Sequence, residues 1–402
     1  MRRRVAIVAG VSFLVIAAGG VAAWRWTHPD QRAVCPEGVL KVAAVGDIMM
    51  GLDLDPAAQA APETKPILQA GHVALGSLSM TLTANAQNED ARGPIGSAKH
   101  ARLLRDWGFT VLARANDHAA DFGREGLEAT GEVLRRSDLA FAGVGSDLAA
   151  ARNPVWIQTA CGPVAVISLA TSLRDGDTAT PTRSNIAGRP GVNPLRHQTR
   201  LLLDPATYRS LAAQTANLGG AKPGADGRLA VLDKIFEPGE RTESVTAVDP
   251  RDQAEILAVI ADARKTAALV IVSFHSHERG ANADAPAPFI QAFARAAVDA
   301  GAGLVVGDGP HRVRLLESYR GGLIAYSLGD FIADRRIAAS LASNPFDVSD
   351  AGPPGGALLS ASFKNGKVVS SHLTALDLTA KEPEGFPFLA SPQKAQPSGP
   401  AS

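Results

Sequence analysis

Residues 304–332 read LVVGDGPHRVRLLESYRGGLIAYSLGDFI, a stretch that contains a strand, a turn and a hairpin in succession. The apolar run 304–306 predicts a buried strand that breaks at Gly307. Asp308 and His311 follow in a turn rich in glycine and proline. A carboxylate and an imidazole three residues apart are suited to bind one ligand, provided that other strands bring similar groups to the same place.

Strand-like and helical segments alternate along most of the chain. The apolar runs predict strands at 39–45, 110–115, 139–144, 155–170, 268–274 and 304–306, and helical periodicity predicts helices at 126–136, 205–218, 251–264 and 288–300. This alternation predicts an α/β fold in which helices cover the sheet. Two hairpins are predicted near the end, one at the Arg-Gly-Gly turn of 320–322 and one at the Asn365-Gly366 pair.

Four predicted strands end in side chains that bind divalent metals. They deliver Asp47; then Asn116, Asp117 and His118; then His275, His277 and Glu278; and finally Asp308 and His311. In open α/β sheets, ligands bind beyond the carboxyl ends of the strands. Because oxygen and nitrogen donors of this kind suit divalent ions, the sequence predicts a metal site at this edge.

Each of these residues also has a structural interpretation when taken alone. Asp47 could be a helix cap or a turn residue, and His118 could be a buried core histidine. His275 and His277 alternate, so they point to opposite faces unless the strand has ended by then. Asp330 in the SLGDF segment is equally well explained by a structural role. The recurrence at four strand ends favours the metal site.

Composition excludes one class of partner. The 402-residue chain has 40 basic and 40 acidic residues and a formal net charge of zero, and 46% of its residues are hydrophobic. Proteins that bind nucleic acid carry a clustered excess of positive charge. We therefore expect a globular protein that does not bind nucleic acid.

The first residues have the pattern of an export signal. Three arginines precede an uncharged apolar run at 5–24, which predicts a signal anchor over 1–30 that crosses the inner membrane as a helix. The body would then be extracytoplasmic, in the periplasm; the alternative is a cleaved signal peptide and a secreted protein. The composition of 381–402 predicts a disordered tail rich in proline, alanine and serine.

Such a compartment permits disulfides, and the chain has two cysteines, Cys35 and Cys161. Each precedes a strand-like run. If those strands are adjacent and start at one edge of the sheet, the two cysteines can form a bridge. Two unpaired thiols in the core are the alternative.

Six segments resemble the capsule-biosynthesis CapA family, a branch of the calcineurin-like metallophosphoesterase superfamily. They are AVGDIMMG, ARANDHAADFGREGLEATGEVL, AFAGVGSDLAAAR, RPGVNPLR, IVSFHSHE and VVGDGPHRVRLLESYRGGLIAYSLGDF, in this order from about 39 to 332. The resemblance implies a four-layer α-β-β-α sandwich at 36–380. The residues 171–249, rich in Gly, Pro, Asp and Thr, independently predict a loop-rich insertion over one end of the sheet. The resemblance also implies a centre of one or two divalent ions, with Mn, Mg, Zn or Fe as the candidates.

The resemblance also implies a role for each residue of these motifs. The implied metal ligands are Asp47, Asp117, His275, Asp308 and His311, with His118 as the catalytic acid or base. From their place beside these residues, the candidate substrate-binding residues are Asn116, His277, Glu278 and Arg312.

The chain departs from the family pattern at the expected ligands. Asp117 stands where the family usually has asparagine, and Asp308 stands where it usually has histidine. Ser79 replaces a glutamate ligand, for which Glu89 or Asp90 is the candidate substitute. These changes favour harder ions such as Mn²⁺ or Mg²⁺.

The expected function is that of a membrane-tethered, metal-dependent hydrolase similar to phosphoesterases, acting in the synthesis of a capsule or envelope polymer. The alternative is a non-catalytic component with a degenerate metal site, which binds an anionic polymer such as poly-γ-glutamate. In either case capsule-synthase subunits are the expected protein partners.

Overall fold

The computed structural model describes residues 34–51, 63–83, 93–217, 220, 222–232, 234–333, 355–378 and 388–389. The predicted signal anchor at 1–30 and the candidate ligands Glu89 and Asp90 lie outside the described residues, as does the predicted tail apart from 388–389. Within the described ranges, no helix is both long enough and apolar enough to cross a bilayer.

The described residues contain twenty-two strands. In chain order they are β1 (Leu40–Met49), β2 (Val73–Leu78), β3 (Thr81–Thr83), β4 (Ile95–Ser97), β5 (Val111–Ala113), β6 (Ala140–Ala142), β7 (Val144–Gly145), β8 (Val155–Thr159), β9 (Gly162–Ala170), β10 (Gly191–Val192), β11 (His197–Leu203), β12 (Leu229–Val231), β13 (Lys234–Pro238), β14 (Glu243–Val248), β15 (Leu269–His275), β16 (Leu304–Asp308), β17 (Leu316–Tyr319), β18 (Gly322–Ala325), β19 (Asp330–Ala333), β20 (Gly356–Lys364), β21 (Lys367–Asp377) and β22 (Phe388–Leu389).

Seven α-helices accompany these strands in the described residues. They are α1 (Lys65–Ala70), α2 (Ala98–Trp107), α3 (Gly123–Arg136), α4 (Leu148–Arg152), α5 (Pro205–Asn217), α6 (Pro250–Arg264) and α7 (Pro288–Asp299). The mixed α/β fold predicted from the alternation of apolar patterns is therefore confirmed.

Two sheets face each other and helices cover their outer faces. The first has the strand order β22-β21-β20-β1-β2-β5-β6, with β19 also paired to β1, and the second has the order β17-β18-β16-β15-β9-β8. Val42 and Leu75 of the first sheet share a buried cluster with Val166 and Ile271 of the second. Separate clusters pack α2 and α3 on the first sheet, and α6 and α7 on the second. The result is four layers.

Parallel pairing brings the carboxyl ends of the central strands to one edge. In the first sheet β1 is parallel to β2 and to β19, with Asp47 opposite Ser77 and Asp330. In the second sheet β15 is parallel to β16, with His275 opposite Asp308. The polar residues at these strand ends are therefore close together because of strand register.

The described structure differs from the predicted elements in several places, and helices α1, α2 and α4 were not predicted. The run 155–170 is two antiparallel strands, β8 and β9, because the chain turns before Gly162, which has a left-handed φ of 103°. The segment 171–249 contains a separate sheet of order β12-β13-β11-β14, packed with α5. Strand β2, which lies between β1 and β5, was not predicted.

The opposite edge of the sandwich contains a disulfide. Cys35 and Cys161 are bonded, with their Cα atoms 5.2 Å apart, just before β1 and β9. His72 lies beside them: its Nδ1 accepts a hydrogen bond from the backbone N–H of Lys41 (2.9 Å), and its Nε2 donates to the carbonyl of Val34 (3.0 Å). This edge is therefore held by a covalent link and by hydrogen bonds to the backbone.

Candidate metal centre

Four buried aspartates and three histidines meet at the carboxyl ends of the strands. Asp47, Asp117, Asp308 and Asp330 are each at most 3% exposed. Among the described residues they form three overlapping groups of possible metal ligands, whose donor atoms lie within 4.8 Å of one another in each group: Asp117, His275 and His277; Asp47, His275 and Asp308; and Asp47, His311 and Asp330. The five ligands predicted from the sequence are all brought together.

Asp47 lies at a bulge in β1, where the strand register shifts. A side chain at the preceding Gly46 would lie 1.8 Å from the carbonyl oxygen of Gly329, so the glycine permits β1 to approach the neighbouring chain closely. Oδ1 of Asp47 accepts a hydrogen bond from the hydroxyl of Ser79, and Oδ2 accepts one from the backbone N–H of Gly309 at 2.9 Å. Ser79, which stands where a glutamate was expected, therefore contacts the first carboxylate of the site.

His275 is the last residue of β15 and contacts carboxylates through both ring nitrogens. Its Nδ1 lies 2.6 Å from Oδ1 of Asp308, and its Nε2 lies 3.0 Å from Oδ1 of Asp117. Because the strand ends here, the chain turns and brings Nε2 of His277 to 3.1 Å from Nε2 of His275. The alternation of side chains along a strand does not separate the two histidines, because β15 ends before His277. Both imidazoles therefore face the site.

His311 contacts a residue whose role the sequence left open. His311 has a left-handed φ of 53°, and its Nδ1 lies 2.7 Å from Oδ1 of Asp330. Asp330 begins β19 and is 2% exposed. The signal that could have identified it is the glycine before it, which repeats the Gly-Asp pattern of Asp47 and Asp308.

His118 is supported by a carboxylate that sequence reasoning missed. Its Nδ1 lies 2.7 Å from Oδ2 of Asp121, and Arg174 donates a hydrogen bond to the other oxygen of that carboxylate. Nε2 of His118 faces Asp117, with 3.8 Å between it and Oδ1. The imidazole is thereby oriented with Nε2 toward the cluster.

The other predicted substrate-binding residues contact protein groups. Asn116 donates to the carbonyl of Leu78 (2.8 Å), and its side-chain oxygen accepts from the N–H of His118 (3.2 Å). Asn116 therefore positions the turn that carries His118.

Glu278 and Arg312 lie outside the cluster of ligands. The carboxylate of Glu278 accepts hydrogen bonds from the hydroxyls of Thr171 (2.6 Å) and Ser276 (2.7 Å). Arg312 pairs with Asp284 at 3.0 Å. Both contacts hold the loop that follows β15.

The charges in the cluster are set by burial and by close neighbours. Burial would raise the pKa of Asp117, but the charges of His118 and His275 outweigh it and hold the pKa well below its usual range. Burial lowers the pKa of His277, which favours a neutral imidazole. Burial and the charge of Asp47 raise the pKa of Asp308 to about 7. Burial lowers the pKa of His311, but Asp330 outweighs it and raises the pKa to about 10.

These donors fit a divalent ion. Buried carboxylates are costly unless a cation or hydrogen-bond donor compensates them. Here each of the four aspartates lies near an imidazole, which is itself a good metal ligand. A mixed set of imidazole nitrogens and carboxylate oxygens suits Zn²⁺, Mn²⁺ and Fe²⁺.

Residues 41–335 match the family model described as bacterial capsule synthesis protein PGA_cap. Over 322 residues the chain is 32% identical to the uncharacterized protein y4sH of Sinorhizobium fredii, covering 78% of this chain and 70% of that protein. It is 25% identical to the PGA biosynthesis protein CapA of Bacillus subtilis over 308 residues, covering 74% of this chain and 64% of that protein.

Among solved structures, a 5′-nucleotidase precursor from Thermus thermophilus aligns with 84% of this chain and 54% of its own, at 10% identity and a TM-score of 0.37.

Proposed function

Since the chain belongs to the bacterial capsule synthesis family PGA_cap, we propose that it is a metal-dependent hydrolase, similar to phosphoesterases, that acts in the synthesis of an anionic envelope polymer such as poly-γ-glutamate. The observation that carries this proposal is the convergence of buried carboxylates and imidazoles with a carboxylate-supported histidine beside them. Buried clusters of carboxylates and imidazoles with strongly shifted pKa values are typical of functional sites.

A divalent ion held by the aspartates and histidines of the cluster would lower the pKa of a bound water to about 7 and polarise a phosphoryl oxygen. A side chain of the protein, His118, performs the proton transfer. Burial lowers the pKa of His118, but Asp117 and Asp121 outweigh it and raise the pKa, which favours the protonated imidazole. With Nδ1–H held by Asp121, Nε2–H is available to protonate the leaving oxygen, a contribution of about 10²–10⁴ in rate.

The test is hydrolysis of bis-p-nitrophenyl phosphate and p-nitrophenyl phosphate by the full chain with Mn²⁺. We expect turnover that EDTA abolishes and that His118→Asn lowers by at least about 100-fold without loss of bound metal. His372→Asn is the matched control, because His372 is exposed on β21 and far along the chain from the cluster. A metal-loaded chain that turns over neither ester would contradict the proposal.

A second candidate function is favoured by Ser79. This residue supplies a hydroxyl where the family resemblance implies a carboxylate ligand, so the described part of the site has one ligand fewer than the resemblance implies. A polymer-binding role without catalysis is therefore the alternative. Binding of poly-γ-glutamate by a chain that holds metal but hydrolyses neither ester would favour this alternative.

We propose an extracytoplasmic location for the same protein, tethered to the inner membrane by its N-terminal apolar run, with capsule-synthase subunits as partners. The disulfide between Cys35 and Cys161 supports an oxidising compartment. Fractionation of cells that express the full chain, followed by protease treatment of spheroplasts, tests this location. A chain protected from the protease would contradict it.

A further inference from the structure

The turn that carries His118 is held in place by a residue of the insertion. Arg174 lies four residues after the end of β9, in the first loop of the segment 171–249. Its guanidinium donates hydrogen bonds to a carboxylate oxygen of Asp121 and to the backbone carbonyl of Asp117. One side chain of the insertion therefore contacts the turn both before and after His118.

Asp121 is a buried carboxylate that accepts hydrogen bonds on both oxygens. Its Oδ2 lies 2.7 Å from Nδ1 of His118, and its Oδ1 accepts from Arg174. A Cβ atom at Gly93 would lie 1.6 Å from Oδ2, so a glycine is needed beside this carboxylate. A charged carboxylate without water is costly unless donors compensate it. The guanidinium of Arg174 provides this compensation and favours Asp121 as an ionised acceptor for Nδ1–H of His118.

The guanidinium of Arg174 is shared among three acceptors. Nη2 donates to Asp121 and to the carbonyl of Asp117, and Nε lies 3.2 Å from Oδ2 of Asp177. The planar guanidinium has its donors at fixed angles, whereas an ammonium group has no such fork. Arg174 therefore fixes the position of the Asp121 carboxylate relative to the backbone at Asp117.

The orientation of the His118 imidazole depends on this arrangement. Nδ1 is held by Asp121, and Nε2 faces the cluster at 3.8 Å from Oδ1 of Asp117. A carboxylate that moves takes the Nδ1 contact with it, and the ring then turns away from its place beside the cluster. A displacement of about 1 Å in a catalytic group can lower a rate by about 10²-fold.

Resting on the proposed hydrolysis, in which His118 is the acid, we propose that Arg174 is a positioning residue for His118. It acts through Asp121, and it touches neither the substrate nor the ion. The first loop of the insertion thereby contributes to the reaction at the strand ends. A purely structural role of Arg174 would instead change stability and leave the proton transfer as it is.

The first test measures kcat and KM of the full chain with Mn²⁺ for phenyl phosphate and p-nitrophenyl phosphate. The phenyl ester has the more basic leaving oxygen, so its hydrolysis depends more on a positioned acid. We expect Arg174→Gln to lower kcat about 100-fold for phenyl phosphate and about 10-fold for p-nitrophenyl phosphate, with KM and bound Mn²⁺ unchanged. Arg174→Lys retains the charge and should recover part of kcat.

Asp177→Asn is the matched control, because it changes a contact of the same guanidinium and leaves Asp121 untouched. It should leave kcat unchanged for both esters. In a His118→Asn background, Arg174→Gln should lower kcat no further, since a residue that acts through His118 has no effect without it. A further loss in that background, an equal loss for both esters, or a rise in KM at unchanged kcat would overturn the proposal.

A second readout does not depend on turnover. Proton NMR of the metal-free chain, labelled with nitrogen-15 histidine, detects Nδ1–H of His118, which is assigned by its loss in His118→Asn. We expect this signal in the wild type and in Asp177→Asn, and its loss in Arg174→Gln. Because the side chain of Arg174 is 41% exposed, this substitution leaves the core intact.

The two readouts separate the positioning role from the proposed hydrolysis. The expected NMR pattern in a chain that turns over neither ester supports the positioning role and removes the catalysis. Absence of the signal in the wild type, or its persistence in Arg174→Gln, overturns the positioning role whether or not the esters turn over.

Discussion

The two ends of the sandwich share strands but differ in their interactions: one end has a disulfide and the other has buried charged side chains. At the amino ends of β1 and β9, the disulfide between Cys35 and Cys161 joins the two sheets, and His72 makes hydrogen bonds to the backbone. At the carboxyl ends, Asp47 and Asp308 are buried beside histidines. Buried charges are a cost to stability, whereas a covalent link across a long loop is a gain. We infer that the disulfide end stabilises the fold and that the candidate metal centre lowers its stability.

The largest expected effect is on stability at the disulfide end. The two cysteines are 126 residues apart in sequence, and the chain-entropy model gives about 4–5 kcal/mol for a loop of this length. Replacing both by serine should lower the free energy of unfolding by an amount in that range, measured by urea denaturation. The affinity for Mn²⁺ should stay the same. A large loss of metal affinity would show that the two ends are coupled.

The next effect is on metal binding at the other end. Asp117→Ala removes the carboxylate that Nε2 of His275 approaches at 3.0 Å, so Mn²⁺ affinity should fall by about 100-fold or more in equilibrium dialysis. The disulfide should still form, as measured by thiol titration under denaturing conditions. Unchanged Mn²⁺ affinity would show that Asp117 does not contribute to binding the ion.

A smaller effect follows from competition between protons and metal. Burial lowers the pKa of His275, but Asp117 and Asp308 outweigh it and raise the pKa well above its usual value, so the metal-free imidazole is protonated at neutral pH. The ion must displace that proton, and affinity for Mn²⁺ should rise about tenfold per pH unit from pH 6 to 8. Titration calorimetry at pH 6, 7 and 8 measures this slope. A pH-independent affinity would mean that the imidazole is neutral before the ion binds.

The smallest effect concerns the hydroxyl that stands in place of the expected carboxylate. Ser79→Ala removes the hydrogen bond to Oδ1 of Asp47 and should lower the free energy of unfolding by about 1–3 kcal/mol in urea denaturation. Ser371→Ala, at an exposed position of β21, is the matched control and should change it little. Equal values for the two variants would show that the hydrogen bond to Asp47 contributes nothing.

The alternation of apolar segments was enough to predict the α/β class, because burial on both faces gives central parallel strands such as β15 and β16 near-continuous apolar runs. The strand ends with Asp47, Asp117, His275 and Asp308 could be found for the same reason. The register between neighbouring strands could not be predicted from the sequence. Asp330 joins the cluster only because β19 pairs with β1 opposite Asp47, a contact between residues far apart in the chain.

Other features depended on local geometry that patterns do not specify. Whether His277 faced the site depended on β15 ending at His275, and periodicity does not fix element ends to one residue. The roles of Asp121 and Arg174 depend on contacts between separate segments. The sheet in 171–249 has strands without buried residues, such as β14, and these lack the apolar runs that identified the central strands.

The most direct test is a crystal structure of the chain soaked with Mn²⁺, with diffraction data collected at the manganese absorption edge. The account predicts an anomalous peak inside the cluster, about 2 Å from a histidine nitrogen and from a carboxylate oxygen of Asp47, Asp117, Asp308 or Asp330. A crystal soaked at saturating Mn²⁺ that shows no peak at these residues, or shows the peak elsewhere in the molecule, would contradict it.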